Sequence, residues 1–301
     1  MAEELYASPI SQPSRAVHWL CKVNNYPIDY KYTDSGKGAT RTEEFLQLNP
    51  MGKIPVLKDG DFVLSESHAI MIYLADKHGW EKWCPKDLKI RARITEYMNW
   101  HHHNARRSSE IFINQFFVNI GRSKPSIEAS LKRKDQTIGD IFRILEFWLR
   151  HGNLYLVSAT EPTVVDLSCY NEVVQLEVMG LLTDVEDKFP KVAAWLKRMK
   201  DLPYHDEMLA PMINMAASTK AIGNVFQVLC PTRNYGVGTR VTRKIWSKFP
   251  EPTYWEITRI HPSPDLKHGK VFGRFTFRGK TDPVEKRINV PLKKDWVFAE
   301  L

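Results

Sequence analysis

The chain has 301 residues, 43% of them hydrophobic and 26% charged, with a net charge of +8. That is enough for two or three domains with ordinary cores. The charge is uneven: residues 220–301 hold 16 Lys and Arg against 7 Asp and Glu, and the remainder holds 27 against 28. A basic block of that kind points to nucleic acid or to an anionic membrane face. Cys21, Cys84, Cys169 and Cys230 are far apart and form no CxxC pair, which argues against a zinc site and a disulfide framework and for a reducing compartment. No apolar run approaches the ~20 residues of a membrane span. The first twenty residues include Glu3, Glu4, Pro9 and Pro13 and show no cleavable presequence of the signal or Arg-rich transit type.

Residues 1–79 read as an α/β unit. "ELYAS" predicts a strand, "PSRAVHWLCKVNN" a helix with Ala16, Leu20 and Val23 on one face, "IDYKYTD" a second strand and "TEEFLQLN" a short helix. "IPVLKDGDFVLSES" predicts two strands joined by a hairpin signal at Asp59-Gly60. "SHAIMIYLADKHG" predicts a helix that Gly79 ends. The order is βαβαββα.

Residues 86–218 read as all-helical. "LKIRARITEYMNWHHHNARRSSEIFINQFF" is one long helix or two in series. "IGDIFRILEFWLR" puts Ile138, Ile141, Leu145, Trp148 and Leu149 on one stripe. "TVVDLSCYNEVVQLEVMG" opens on Thr163 with Asp166 three positions on, a capping box with Asp in place of Glu. "KVAAWLKRMKDL" is another amphipathic helix, and "HDEMLAPMINMAAST" leads out. His101, His102 and His103 are consecutive. Neighbouring helix positions point about 100° apart, so three in a row cannot share one ion, and no metal is expected.

Residues 219–301 change character to a small β-rich module. "VFGRFTFRGK" alternates, with Val271, Gly273, Phe275 and Phe277 on one face and Arg274, Thr276 and Arg278 on the other. "TYWEITRIH" and "DWVFAEL" are further strands. Gly236-x-Gly238 lacks the rest of a dinucleotide fingerprint. "GRFTFRGKT" has five residues between its glycines where a phosphate loop needs four.

"ELYASPISQPSRAV", "FLQLNPMGKIPVLKDGDFVLSES" and "EYMNWHHHNARRS" resemble a theta-class glutathione transferase, and the likeness runs from about residue 3 to about residue 210. It implies a thioredoxin-like domain followed by a helical domain, a homodimer when free, and glutathione as the bound substrate. Ser11 follows the first strand near a helix start, where a hydroxyl can donate to a thiolate and lower a thiol pKa. The resemblance implies that Ser11 does this for glutathione. It also implies that Ile54-Pro55 forms the cis-proline turn facing the peptide and that Glu66-Ser67 hold the γ-glutamyl end. By the same likeness Arg107 reaches the cleft from the helical domain. Thr40 stands where the family often has a His for the glycyl carboxylate, and losing such a charge-assisted contact costs on the order of 1.5–3 kcal/mol. Lys37 and Lys53 are the candidates to compensate. The family's C-terminal segment usually covers the second-substrate pocket; this chain diverges after about residue 215.

"GVGTRVTRKIW…EPTYWEITRIHPSPDLKHGKVFGRFTFRGKT…DW" resembles the mitochondria-specific protein of the small ribosomal subunit numbered thirty-four. Trp255 and Trp296 fall in register with its glycines. The resemblance implies a mitochondrial matrix location, with rRNA and neighbouring small-subunit proteins as partners. Lys and Arg gain affinity for phosphates by counterion release, and arginine planes and aromatic rings stack on open bases. Arg240, Arg243, Lys244, Arg259, Lys270, Arg274, Arg278 and Lys280 are the candidate contacts, while Trp246, Tyr254, Trp255 and Trp296 are each expected in core packing ahead of base stacking. The expectation is a fusion: a structural component of the mitochondrial small subunit carrying a transferase-like unit. The alternatives are a working transferase whose tail localises it, or a module for anionic membrane.

Overall fold

The computed structural model describes residues 3–119, 124–220, 223–230 and 233–299. They fall into two units, one of residues 3–115 and 124–213, the other of residues 116–119, 214–220, 223–230 and 233–299. The first begins β1 (Glu4–Ala7), α1 (Gln12–Val23), β2 (Asp29–Tyr32), α2 (Glu43–Leu48), β3 (Val56–Asp59), β4 (Phe62–Ser65) and α3 (Ser67–Lys77), the βαβαββα order read from sequence. The sheet runs β2-β1-β3-β4, with β1 and β2 parallel and the other pairs antiparallel. This is the thioredoxin-like arrangement. Leu5, Ala7, Val56 and Leu57 are fully buried, while Tyr6, pointing the other way along β1, meets Phe45 of α2 edge-on at 6.4 Å. The hairpin turns on Gly60-Asp61, because Asp59 pairs with Phe62. Asp59 is thereby left in the ladder, where its carboxylate accepts from Tyr73 Oη and Lys77 Nζ.

The helical part follows as α4 (Leu88–His101), α5 (Arg107–Asn119), α6 (Pro125–Lys132), α7 (Lys134–Trp148), α8 (Val164–Val178), α9 (Val185–Lys188), α10 (Pro190–Lys200) and α11 (His205–Lys220). The long candidate helix is two in series, broken over His102–Arg106. On α7 the stripe buries Ile138, Ile141, Phe142 and Leu145, and Trp148 packs edge-on against Trp100 at 4.9 Å.

Helix α8 is the spine of this unit, buried at every position from Val164 to Leu176. A helix buried all round must find a partner for each polar side chain it carries. Its start shows how. Asp166 accepts from the N–H groups of Thr163 (2.8 Å) and Leu156 (2.9 Å) and from Trp195 Nε1 (2.9 Å). Asp166→Ala strands those buried donors, so the unfolding free energy of this unit should fall by more than about 3 kcal/mol. Thermal or urea unfolding checks this, and a loss below about 1 kcal/mol would contradict it.

The second unit contains α12 (Val225–Leu229), β5 (Arg240–Arg243), β6 (Tyr254–Pro262), β7 (Gly269–Phe277), β8 (Lys280–Thr281), β9 (Lys286–Arg287) and β10 (Trp296–Phe298). The sheet runs β10-β5-β6-β7-β8, and β9 also pairs with β7. Helix α12 is too short for its periodicity to show in sequence, yet it is capped at both partners of a box: Gln227 N–H to Asn224 Oδ1 at 2.9 Å, and Asn224 N–H to Gln227 Oε1 at 3.0 Å. Val225, Phe226, Val228 and Leu229 form a core with Val241, Ile257, Val271, Ile288 and Trp296. Gly273 lies inside this packing, where a Cβ would stand 2.5 Å from the Glu256 carbonyl oxygen. The alternation read along β7 holds for Val271 and Gly273 and fails at its end: Phe277 is 45% exposed and Thr276 2%. Thr276 is covered because β8 folds back over it, hydroxyl to hydroxyl with Thr281 at 2.8 Å.

Candidate functional site

In the first unit a cavity of about 510 Å³ is lined by Lys53, Ile54, Pro55, Glu66, Ser67, His68, His101, His102 and Arg106, among others. Two backbone devices build its floor. Asn49, almost fully buried, clamps the loop before β3 by donating to the Lys53 carbonyl at 2.8 Å and accepting from Met51 N–H at 3.1 Å. Gly52 within this loop has φ +60°, and a Cβ there would press on the Thr40 carbonyl oxygen at 2.9 Å, so only glycine suits the position. The Ile54–Pro55 peptide is cis. Glu66 has φ 71°, a region that a non-glycine side chain rarely adopts. It turns the chain abruptly into α3, whose first turn has no side-chain cap. The free N–H groups there, at the positive end of the helix dipole, suit a carboxylate.

Lys53 and Ser67 line the cavity, and Lys53 is exposed with no ion pair to a described residue. Lys37 instead reaches Asp34 at 3.8 Å and is 87% exposed, and Thr40 is buried. Ser11 is the N-cap residue of α1, partly exposed, and its hydroxyl makes no capping bond. The α1 residue that lines the cavity is Pro13. The cleft-lining arginine is Arg106. Arg107, expected there, donates to the Thr137 hydroxyl at 2.9 Å. The break over His102–Arg106 resets the helix phase, so adjacent arginines part company.

A polar row on α8 positions these groups. Ser168, Asn171, Glu172 and Gln175 fall at i, i+3, i+4 and i+7 on one face, and all are buried. Ser168 meets His68 Nε2 at 2.8 Å. Glu172 accepts from Arg106 at 3.0 Å and from the Ser109 hydroxyl. Asn171 accepts from Arg15 Nε at 2.9 Å, and Arg15 Nη1 donates to the Pro9 and Ile10 carbonyls at 3.2 and 2.8 Å. Arg15 thus holds the loop that presents Ser11. Its burial draws the guanidinium down to about 10. Sequence reading missed Arg15, Asn49, Arg106 and His68; for Arg15, Arg106 and His68 the polar spacing inside an otherwise apolar α8 was the available signal.

In the second unit most arginines are already engaged. Arg243 grips Asp295 with Nε at 3.0 and 3.1 Å and Nη2 at 3.0 Å. Arg274 pairs with Glu256 at 3.1 Å and Arg240 approaches the same carboxylate at 3.9 Å. Arg259 pairs with Glu285 at 2.7 Å. Arg278 lies over the Phe249 ring at 4.2 Å. Lys244, Lys270 and Lys280 are exposed and carry no ion pair to a described residue.

A family model described as the glutathione S-transferase N-terminal domain matches residues 5–82, and one for the C-terminal domain matches residues 112–205. Glutathione S-transferase T1 of Arabidopsis thaliana is 33% identical over 69% of this chain and 87% of its own length. Human glutathione S-transferase theta-2 is 35% identical over 66% of this chain and 81% of its own. The chain belongs to the glutathione S-transferase family. It matches only 36% of the length of the Arabidopsis T2 member. A solved structure of human glutathione transferase theta-2, described as a complex with glutathione and an unknown ligand, superposes with a TM-score of 0.65 at 31% identity, covering 72% of this chain and 90% of that one. Residues 223–300 match the family model for mitochondrial 28S ribosomal protein S34. Among the described residues no helix is long and apolar enough to cross a membrane.

The transferase cavity is sensitive to pH through its histidines. Burial, with His101, His102 and Arg106 nearby, holds His68 well below the usual imidazole range, and burial beside His101 lowers His102. Both therefore line the site as neutral rings at pH 7. A folded pKa below the unfolded value of about 6.5 means that the unfolded chain binds more protons as pH drops. Stability is then fully present above about 6.5 and falls below it, by at most about 1.4 kcal/mol per pH unit for each group. Melting curves from pH 7.5 to 5.5 should show this decline, and a His68→Asn variant a shallower one; an equal or steeper decline in the variant would contradict it.

Proposed function

We propose that this chain is a component of the mitochondrial small ribosomal subunit, resident in the matrix, with a theta-type glutathione transferase unit fused ahead of its docking module. One observation carries the reading. The segment similar to the S34 family, residues 223–300, takes in α12 through β10 together with their shared core, so what is similar is a folded module. Its excess of positive charge suits rRNA phosphate or a neighbouring subunit protein. In mitochondrial lysates resolved on a gradient, the chain should co-sediment with small subunits and be shed as salt rises. Recovery only in soluble low-mass fractions would contradict the reading.

A second reading, compatible with the first, is a working glutathione transferase. It is favoured by the uncapped Ser11 hydroxyl and by the open amides at the start of α3. In this reading Lys53, Ile54, Pro55, Glu66 and Ser67 hold glutathione, and Ser11 donates to its thiolate, stabilising the charged form that attacks an electrophile. Arg106 takes the place expected for Arg107 in the cleft. Ser11→Ala should cut kcat/KM for a small electrophile at least about tenfold, the equivalent of one pKa unit, while retention on glutathione-agarose persists. An unchanged rate would contradict a role for Ser11.

A further inference from the structure

The second unit carries positive charge in two places, and they differ in whether that charge is available. On the broad sheet face, Glu256 and Glu285 already hold Arg240, Arg274 and Arg259, so a phosphate would have to displace a carboxylate. Lys270 and Arg287 are exposed on this face without such a partner. At the end of the sheet where β7 turns into β8, the arrangement is different. Arg278 lies over Phe249 at 4.2 Å and over Phe277 at 5.4 Å, and Lys248 lies over Phe249 at 5.2 Å. A ring fixes a cation in place without cancelling its charge. Lys280 is opposite Phe277 in the β7–β8 ladder, and Lys244 begins the turn that leads to Lys248. Arg278, Lys244, Lys248 and Lys280 are all exposed, and none is paired with a carboxylate of a described residue. Of the acids near these cations, Asp295 is held by Arg243 and Asp282 by Lys286, and Glu251 has its Cβ 4.0 Å from the Cβ position of Gly279.

The same tip presents apolar surface, part of it aromatic. Phe277 is 45% exposed and the aliphatic Ile245 50%, and Phe249 meets Phe277 edge-on at 5.7 Å. Beside it runs a groove of about 520 Å³ lined by Lys244, Trp246, Phe249, Pro252 and Tyr254, among others, within the ~300–1,000 Å³ range of small-ligand sites. We propose that this tip, rather than the sheet face, is the module's RNA contact, and that it takes unpaired RNA, with a base stacked on Phe277 and phosphates on Lys244, Lys248, Arg278 and Lys280. An RNA duplex keeps its base faces closed and offers an exposed phenylalanine nothing to stack on, whereas loops and bulges do. The proposal rests on the ribosomal reading and sharpens it.

Fluorescence anisotropy on the full chain, with an unstructured RNA of about 16 nucleotides and a duplex of equal length, tests the tip. The single strand should bind at least about tenfold more tightly. Phe277→Ala removes a half-exposed ring, so it should leave the melting temperature nearly unchanged while weakening single-strand binding about 5- to 150-fold. Combining Lys244→Gln, Lys248→Gln and Lys280→Gln should flatten the log–log salt slope by about 2, from roughly 0.7 per phosphate contact. Combining Arg240→Gln, Arg259→Gln and Arg274→Gln should change the slope by less than about 1. Equal binding of the duplex, absence of RNA binding, or a larger effect from the sheet-face triple would overturn the tip. So would tip variants that keep RNA binding but lose co-sedimentation with small subunits, which would make the tip a protein contact. Loss of the ribosomal reading shows separately, as wild-type chain missing from small-subunit fractions, and the binding assay decides the tip in either case.

Discussion

Glu172 sits in the middle of a helix with no solvent around it, and a carboxylate in that position has to be held by donors. Arg106 and Ser109 supply them, and with that contact the geometry of the first unit follows. Arg106 is drawn to the cavity wall. One residue back along α8, Asn171 holds Arg15, and Arg15 fastens the carbonyls of the loop ahead of Ser11. A turn further back, Ser168 holds His68 at the start of α3. The helical part therefore shapes a site whose backbone comes from the thioredoxin-like part. Glu172, Asn171 and Ser168 are satisfied internally and buried, so they position the groups that line the cavity and do not bind there themselves.

The second unit obeys the same rule at its surface. The Arg243–Asp295 pair, together with Lys244 N–H to the Asp295 carbonyl at 2.9 Å, joins β5 to the residue preceding β10. It closes one side of the sheet over Trp296. That arginine is structural by its contacts, though by composition it belongs to the basic block. Where cations rest on rings instead of carboxylates, as at the β7–β8 turn, their charge stays available. Net charge thus indicates the class of partner, and the pairing pattern indicates where the partner sits.

Much of this was legible in sequence. The strands of the first sheet, the hairpin glycine, the Thr163–Asp166 box and the alternation of Val271 with Gly273 are local patterns, and local patterns survive into the structure. Other features depend on relations that periodicity does not carry. The break between α4 and α5 decides whether Arg106 or Arg107 faces the cavity, and a run of polar and histidine residues does not mark the residue where the phase resets. Helix α12 has too few residues to show a period. The burial of Thr276 depends on a strand that folds back from beyond Gly279. The engagement of Arg243, Arg259 and Arg274 depends on acids 18 to 52 positions away.

A density map of the mitochondrial small subunit isolated with this chain in place tests the fusion account most directly. The account predicts the β5–β10 sheet ordered on the particle, with the Phe249–Phe277 end against unpaired rRNA and the transferase unit attached to the same chain. A particle lacking the chain, or one in which that end of the sheet faces open solvent, would contradict it.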